Sequence, residues 1–147
     1  MFNIALVGTG NIGSRHLQGL LTEDFNQIIF AVDPSEEARE IAAERIEKSE
    51  LCKRVRFLDK VLDLPNNIDL AIIATNADIR FSLVKELVTL KKVARVILEK
   101  VVFQSVSQLE EVSELFCSKG VRAWVNCPRR LQNIYNLIRD LIKDGDN

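Results

Sequence analysis

The chain has 147 residues, 47% of them hydrophobic and 28% charged, which is typical of one folded domain with its own core. Its 20 basic and 21 acidic residues give a formal net charge of -1. This balance does not predict the positive surface that binding to a nucleic-acid backbone requires. No apolar run reaches the about 18 to 20 residues of a membrane-spanning helix, and the three cysteines show no zinc or disulfide spacing. Because the first residues also lack a signal-peptide pattern, we expect a cytoplasmic protein with reduced thiols and no metal, and with neither nucleic acid nor membrane as a partner.

Short apolar runs alternate with longer segments of helical period along the whole chain. The runs are rich in Val, Ile, Leu and Phe and are predicted as strands at residues 2–7, 27–32, 55–57, 70–74, 95–98 and 121–125. Such alternation is the pattern of βαβ units, in which helices cover both faces of a parallel sheet. We therefore predict an α/β protein with a three-layer, doubly wound Rossmann fold and the strand order 3-2-1-4-5-6.

The segments between the strands are predicted to be helices with recognisable ends. Ser35 is placed to cap the second helix, Asp78 to cap the helix after the fourth strand, and Gly120 to end the helix after the fifth. The helices are predicted at residues 11–21, 35–49, 78–90 and 107–119. A last helix begins at Pro128 and is strongly amphipathic, so we divide the chain into a domain of residues 1–127 and a helical extension of residues 128–147.

A glycine-rich segment directly follows the first strand and opens the first helix. Its residues, Gly8-Thr9-Gly10-Asn11-Ile12-Gly13, match the pattern G-x-G-x-x-G. In this context the first glycine allows a tight turn, the second lets a pyrophosphate approach the backbone, and the third lets the helix pack close to the sheet. The free N–H groups at the start of the helix would then bind the phosphate charge. The alternative is a glycine-rich turn that binds nothing.

Asp33 ends the second strand, twenty residues after Gly13. Its carboxylate can accept hydrogen bonds from both ribose hydroxyls of an adenosine, whereas a 2′-phosphate would meet it as a like charge. No Arg or Lys occurs at residues 34–38 to receive such a phosphate. The alternative is that the side chain of Arg15 or Arg39 swings in to receive it. We therefore predict NAD rather than NADP as the cofactor. The alternative is an aspartate that only caps the following helix.

Polar residues also follow the fourth strand, beside the point where the strand order reverses. Thr75 and Asn76 are there in a position to contact the ribose or a phosphate of the cofactor, although turn chemistry alone would also explain them.

His16 is the only histidine and no serine or cysteine motif accompanies it, so a hydrolase triad has no support. We expect His16 to pack or cap within the first helix.

Four segments together resemble the N-terminal half of the glucose-fructose oxidoreductase, inositol dehydrogenase and rhizopine-catabolism (Gfo/Idh/MocA) family. They are the glycine motif with the following Ser14-Arg15-His16-Leu17, the acidic end of the second strand, Ala74-Thr75-Asn76, and Glu99-Lys100. The resemblance covers essentially all 147 residues. It implies that a second α/β domain, supplying most of the substrate site and the dimer face, would follow the last helix.

The resemblance also implies a catalytic role for Lys100. In the family's Glu-Lys-Pro motif the lysine lies beside the nicotinamide and a sugar-like substrate, where it assists proton transfer from the hydroxyl that is oxidised. Lys100 matches this lysine, and Glu99 matches the acid before it, which we count with the cofactor site. The alternative is that both residues merely end a strand on the solvent side.

The sequence departs from the family pattern at two positions. Val101 stands where the family's proline shapes the turn, often through a cis peptide bond. A cis bond that precedes a residue other than proline costs about 3 kcal/mol. Arg80 stands where many members have a histidine. The family's second catalytic group, which belongs to the second domain, has no counterpart here.

Three functions remain open at this stage. The first is the NAD-binding part of an oxidoreductase that acts on a hydroxyl of a sugar, cyclitol or sugar nucleotide. The second is a nucleotide-sensing regulatory module without catalysis, and the third is a degenerate scaffold homologue. The apolar stripe of the last helix predicts pairing with another copy of the chain, unless truncation of the chain has exposed it artificially.

Overall fold

Strands and helices alternate through the computed structural model, which describes residues 1–22, 24 and 26–145. Three single turns of 3-10 helix, at Cys52–Arg54, Val61–Asp63 and Pro128–Leu131, occur within the connections. In chain order the main elements are β1 (Phe2–Val7), α1 (Asn11–Leu20), β2 (Gln27–Val32), α2 (Glu36–Ile46), β3 (Val55–Leu58), β4 (Asn67–Ile68), β5 (Leu70–Ile73), α3 (Ala77–Leu90), β6 (Lys92–Val93), β7 (Arg95–Leu98), α4 (Val106–Lys119), β8 (Arg122–Val125) and α5 (Asn133–Gly145).

Six strands form one parallel sheet in the order β3-β2-β1-β5-β7-β8. This arrangement confirms the predicted doubly wound fold, and only the numbering differs. The difference arises because the two-residue strands β4 and β6, which pair with each other, precede β5 and β7. Neither short strand was predicted, since two residues carry no hydrophobic period that a sequence pattern can reveal.

The central strands β2, β1, β5 and β7 are largely buried on both faces, whereas β8 at one edge is exposed. Alternate side chains of each strand point to opposite faces. In β1, Ala5 and Val7 belong to the apolar cluster that also includes residues of α3 and α4. Ile4 and Leu6 belong to the second cluster, which includes residues of α1 and α2. Burial on both sides explains why the strands read as continuous apolar runs rather than as alternating ones.

Two of the three predicted helix ends are confirmed. The side chain of Ser35 accepts a hydrogen bond from the N–H of Ala38, and Gly120 adopts φ 67° after α4. The prediction that Asp78 caps α3 is wrong, because the helix begins at Ala77 and Asn76 occupies the cap position. Asp78 lies in the first turn instead, where its charge still faces the positive end of the helix dipole.

The last helix leaves an apolar surface uncovered. Pro128 begins a 3-10 turn rather than the helix itself, and α5 follows from Asn133. Residues 146 and 147, the end of the predicted extension, lie outside the described residues. Within the described part of the chain, no helix is both long and apolar enough to cross a bilayer. The exposed apolar residues of β8 and α5 are Trp124, Val125, Ile134, Tyr135, Leu137, Ile138, Leu141 and Ile142.

Candidate functional site

The glycine turn between β1 and α1 has no room for side chains at two of its three glycines. Gly8 has φ 92°, and a Cβ there would lie 3.0 Å from the backbone of Ala74 and Thr75. A Cβ on Gly13 would lie 1.8 Å from the carbonyl oxygen of Gly8, an impossible contact. Gly10 differs, because a Cβ there would meet nothing within 4 Å. The turn is therefore packed closely on the sheet side and open in front of the helix.

This opening belongs to a cavity of about 470 Å³ at the carboxyl ends of four strands, β1, β2, β3 and β5. Gly8, Gly10, Asp33, Thr75 and Asn76, five of the residues predicted for the site, line it. The first N–H groups of α1, including those of Asn11 and Ile12, have no acceptor within the helix and can bind an anion in front of it. Apolar walls come from Val7, Val32, Pro34, Val61, Ala74, Ile79 and Leu83.

The carboxylate of Asp33 is held in place by backbone donors on both sides. Oδ2 accepts a hydrogen bond from the N–H of Thr9 at 2.8 Å, and Oδ1 accepts one from the N–H of Ser35 at 3.0 Å. Each carboxylate oxygen has a further lone pair for a ligand hydroxyl. Arg39, considered above for a 2′-phosphate, donates from Nη1 to the Asp33 carbonyl oxygen at 2.5 Å.

Two buried hydroxyl groups near the cavity have no hydrogen-bond partner among the described residues. They are Oγ1 of Thr9, in the glycine turn, and Oγ1 of Thr75, in the cavity lining. Buried polar groups are nearly always satisfied, so an orphan beside a cavity points to a missing ligand or water. Thr9 was not among the predicted site residues, although it lies within the glycine motif.

The predicted residues at the end of β7 form a second group, and the cavity lining does not include them. Lys100 is exposed, and the peptide bond between Lys100 and Val101 is cis. Glu99 is only 8% exposed, and its Oε1 accepts hydrogen bonds from Nε2 of His16, at 2.7 Å, and from Nδ2 of Asn126. His16 therefore does more than pack or cap in its own helix, because it joins α1 to the end of β7.

The surroundings of Glu99 keep it ionised. Burial raises the pKa of this carboxyl, but the hydrogen bonds from Asn126 and His16, and the attraction of His16, outweigh burial and hold the pKa below its ordinary value of 4.5. A group with a depressed pKa in the folded state contributes stability above its ordinary pKa and loses that contribution as the pH falls through the folded value.

We expect Glu99→Gln to be less stable than the native chain at neutral pH. The difference in the free energy of unfolding should begin to shrink as the pH falls below about 4.5, and it should vanish as the pH falls through the lower pKa of the folded carboxyl, where native Glu99 becomes protonated too. Urea unfolding measures this difference when a curve is recorded for each variant at about every pH unit between pH 3 and 7. Glu110→Gln, at an exposed position of α4, is the matched control. A difference that does not change with pH would contradict the assignment.

Arg80 is the charged group that sequence analysis noted without assigning a role. It is 2% exposed, and its guanidinium donates to the carbonyl oxygens of Thr75, Glu99, Val101 and Val102. Burial lowers the pKa of the guanidinium, whereas the nearby Glu99 carboxylate raises it. An arginine stays protonated in such a setting. A sequence signal was present, since Arg80 precedes the buried Val84 by four residues and so falls on the buried stripe of α3.

A family model, GFO/IDH/MocA, described as an oxidoreductase family with an NAD-binding Rossmann fold, matches residues 2–127. None of the curated proteins with which the chain was compared matches it.

Solved structures share the fold at low sequence identity. A probable oxidoreductase, yhhX, superposes with a TM-score of 0.76 at 22% identity, over 99% of this chain and 41% of that one. Apo scyllo-inositol dehydrogenase from Lactobacillus casei gives 0.74 at 16%, over 99% and 42%. The super-repressor mutant of Gal80p from Saccharomyces cerevisiae gives 0.80 at 16%, over 98% and 38%. The chain thus spans about two fifths of the length of these proteins.

Proposed function

Because the chain belongs to the Gfo/Idh/MocA oxidoreductase family as an NAD-binding Rossmann domain, we propose that it holds NAD for the oxidation of a hydroxyl on a sugar, cyclitol or sugar nucleotide. The whole activity would need a second domain, and the substrate class is inferred from the family and not from the cavity. The observation that carries the proposal is the opening at Gly10, which leaves the start of α1 free to receive a phosphate group beside a fixed carboxylate.

The residues of the cavity fit a dinucleotide. The N–H groups of Asn11 and Ile12 would bind the pyrophosphate, which Gly10 allows to approach the backbone. Asp33 would accept the ribose hydroxyls, and the unpartnered hydroxyl of Thr75 and the nearby Asn76 would bind a ribose or phosphate oxygen. NAD, when bound, supplies the nicotinamide that accepts a hydride.

In this proposal Lys100 is the residue that assists proton transfer. Its exposed amine would assist the transfer of the proton from the substrate hydroxyl as the hydride leaves the same carbon. Oε1 of Glu99 already accepts two hydrogen bonds, so a contact of Glu99 with the cofactor would come from Oε2, while Oε1 helps to hold the end of β7 before Lys100. We also propose that the whole protein is a homo-oligomer in the cytoplasm. The exposed apolar face of α5 is the reason for proposing the oligomer.

Asp33 should also set the preference for NAD over NADP. A 2′-phosphate would lie against its carboxylate, and Arg39 is engaged with the Asp33 carbonyl group. Lys60, which sequence analysis did not consider, lies in the cavity lining and could attract a phosphate, but it faces the carboxylate of Asp59 at 3.7 Å. We therefore keep NAD as the preferred cofactor.

We expect the chain to bind NADH, and Asp33→Asn to weaken this binding by about tenfold through loss of a charged acceptor. Titration of NADH fluorescence measures both affinities, and a parallel titration with NADPH tests the preference. Asp140→Asn, on the exposed side of α5, is the matched control and should bind NADH like the native chain. Equal NADH affinities of the native chain and Asp33→Asn, or tighter binding of NADPH, would contradict the proposal.

The second candidate is a nucleotide-responsive module without chemistry. Its support is the similarity to the Gal80p mutant, whose name describes a repressor, together with the two departures at Arg80 and Val101. A sensor would change its association with another chain when the nucleotide binds, whereas an enzyme need not. Sedimentation with and without NADH separates the two candidates.

A further inference from the structure

Arg80 places a positive charge in the protein interior, where none of the described carboxylate side chains forms a hydrogen bond or ion pair with it. Its neighbours on the same stripe of α3, Val84 and Leu87, are fully buried and apolar. A buried charge is costly unless hydrogen bonds replace its water shell. The backbone carbonyl groups supply these bonds, and Nε has no acceptor among the described atoms.

Two of the four carbonyl groups that Arg80 binds flank a single residue, Lys100. Those of Glu99 and Val101 lie immediately before and after Lys100, and both accept from Nη1. Nη2 donates to the carbonyl oxygen of Thr75, at the end of β5. One guanidinium therefore fixes the backbone on both sides of Lys100 relative to a residue that lines the cavity.

Other contacts anchor the ends of this segment without Arg80. The N–H of Glu99 donates to the carbonyl oxygen of Ile73, which continues the pairing of β7 with β5. At the other end Phe103 is buried and packs edge to face against Phe81, with ring centroids 6.2 Å apart. Loss of the guanidinium should therefore loosen the middle of the segment and leave the sheet paired.

We propose that Arg80 is a positioning residue that holds Lys100 toward the cavity in which Thr75 lies. The inference rests on the proposed function, since it assumes that Lys100 works beside a bound dinucleotide. The inference adds to the proposed function that a buried arginine positions Lys100 in this chain. A purely structural arginine would stabilise the whole domain and would not change the surroundings of Lys100 more than those of other lysines.

Competitive acetylation of the lysines, read by mass spectrometry with and without saturating NADH, tests the inference on the chain itself. We expect NADH to slow labelling of native Lys100 by about tenfold, and of Lys100 in Arg80→Met by about twofold or less, because the charge-assisted hydrogen bonds are lost. The NADH affinity of Arg80→Met should stay near the native value, since the predicted contacts of Asp33 and α1 are untouched.

Further variants keep the test decisive. Arg80→Lys retains the positive charge but loses the forked donors of the guanidinium, so we expect intermediate protection of Lys100 by NADH. If Arg80→Met does not fold, the Arg80→Lys variant alone tests the inference. Arg122→Met, at an exposed position of β8, is the matched control and should show native protection.

The outcomes separate this inference from the proposed function. Full protection of Lys100 in both folded Arg80 variants would overturn the positioning role and leave the proposed function standing. Bound NADH that does not protect native Lys100 would overturn the role of Lys100 and the positioning role with it. Failure of the native chain to bind NADH would overturn the proposed function as a whole.

Discussion

Gly13→Ala is expected to lower the free energy of unfolding by more than about 3 kcal/mol, a large part of the stability of a domain of this size. The added Cβ would lie 1.8 Å from the carbonyl oxygen of Gly8, and that atom is backbone, which cannot rotate away as a side chain does. Relief would require α1 to move from the sheet, where Leu17 is fully buried. Urea unfolding followed by circular dichroism measures the loss, and NADH binding should be lost with the turn.

Gly19→Ala is the matched control, because it makes the same substitution later in the same helix. A Cβ at Gly19 meets nothing within 4 Å, and alanine has the higher helix propensity. This variant should gain about 0.5 to 1 kcal/mol. If both variants had the same stability, the close approach of Gly13 to Gly8 could not be the reason for glycine at position 13.

The sheet could be predicted from the sequence because its central strands are largely buried on both faces. The strand bounds at Phe2–Val7, Gln27–Val32 and Arg95–Leu98 agree with the prediction at both ends, since each is a nearly unbroken apolar run flanked by polar or turn residues. The helices were less well bounded. The second was predicted to end at residue 49, but α2 ends at Ile46, because the residues after it are polar with no sharp stop signal.

The cavity residues could be predicted because a local motif encodes them. Gly8, Gly10 and Asp33 follow from the spacing of glycines and an acid around two strands, and the fold places them together at the strand ends. The role of Lys100 came only from resemblance to a family and stays a prediction. No local spacing relates it to the cavity.

The contacts around Glu99 and Arg80 could not be predicted, because they join residues distant in the chain. His16 and Glu99 are 83 positions apart, and Asn126 is 27 positions beyond Glu99. Such pairs leave no periodic pattern in a single sequence. Arg80 was visible as a charge on an apolar stripe, but backbone carbonyl groups accept its hydrogen bonds, and any residue type carries these.

Gly10→Val is expected to weaken NADH binding by about a hundredfold, equivalent to about 2.7 kcal/mol, while the domain stays folded. The Cβ at this position meets no protein atom within 4 Å, so the valine side chain would enter the space where a pyrophosphate would approach the start of α1. Because Gly10 is the cap residue of α1 without a side-chain bond, the free energy of unfolding should fall by only about 1 kcal/mol. Fluorescence titration and urea unfolding of the same preparation measure the two quantities.

The contrast between Gly10 and Gly13 separates binding from folding within one motif. Substitution at Gly13 should greatly lower stability and abolish binding, whereas substitution at Gly10 should weaken binding strongly and lower stability only slightly. Gly19→Val introduces the same side chain on the exposed part of α1 and should keep native NADH affinity. Native affinity in a folded Gly10→Val would mean that the dinucleotide does not approach the start of α1.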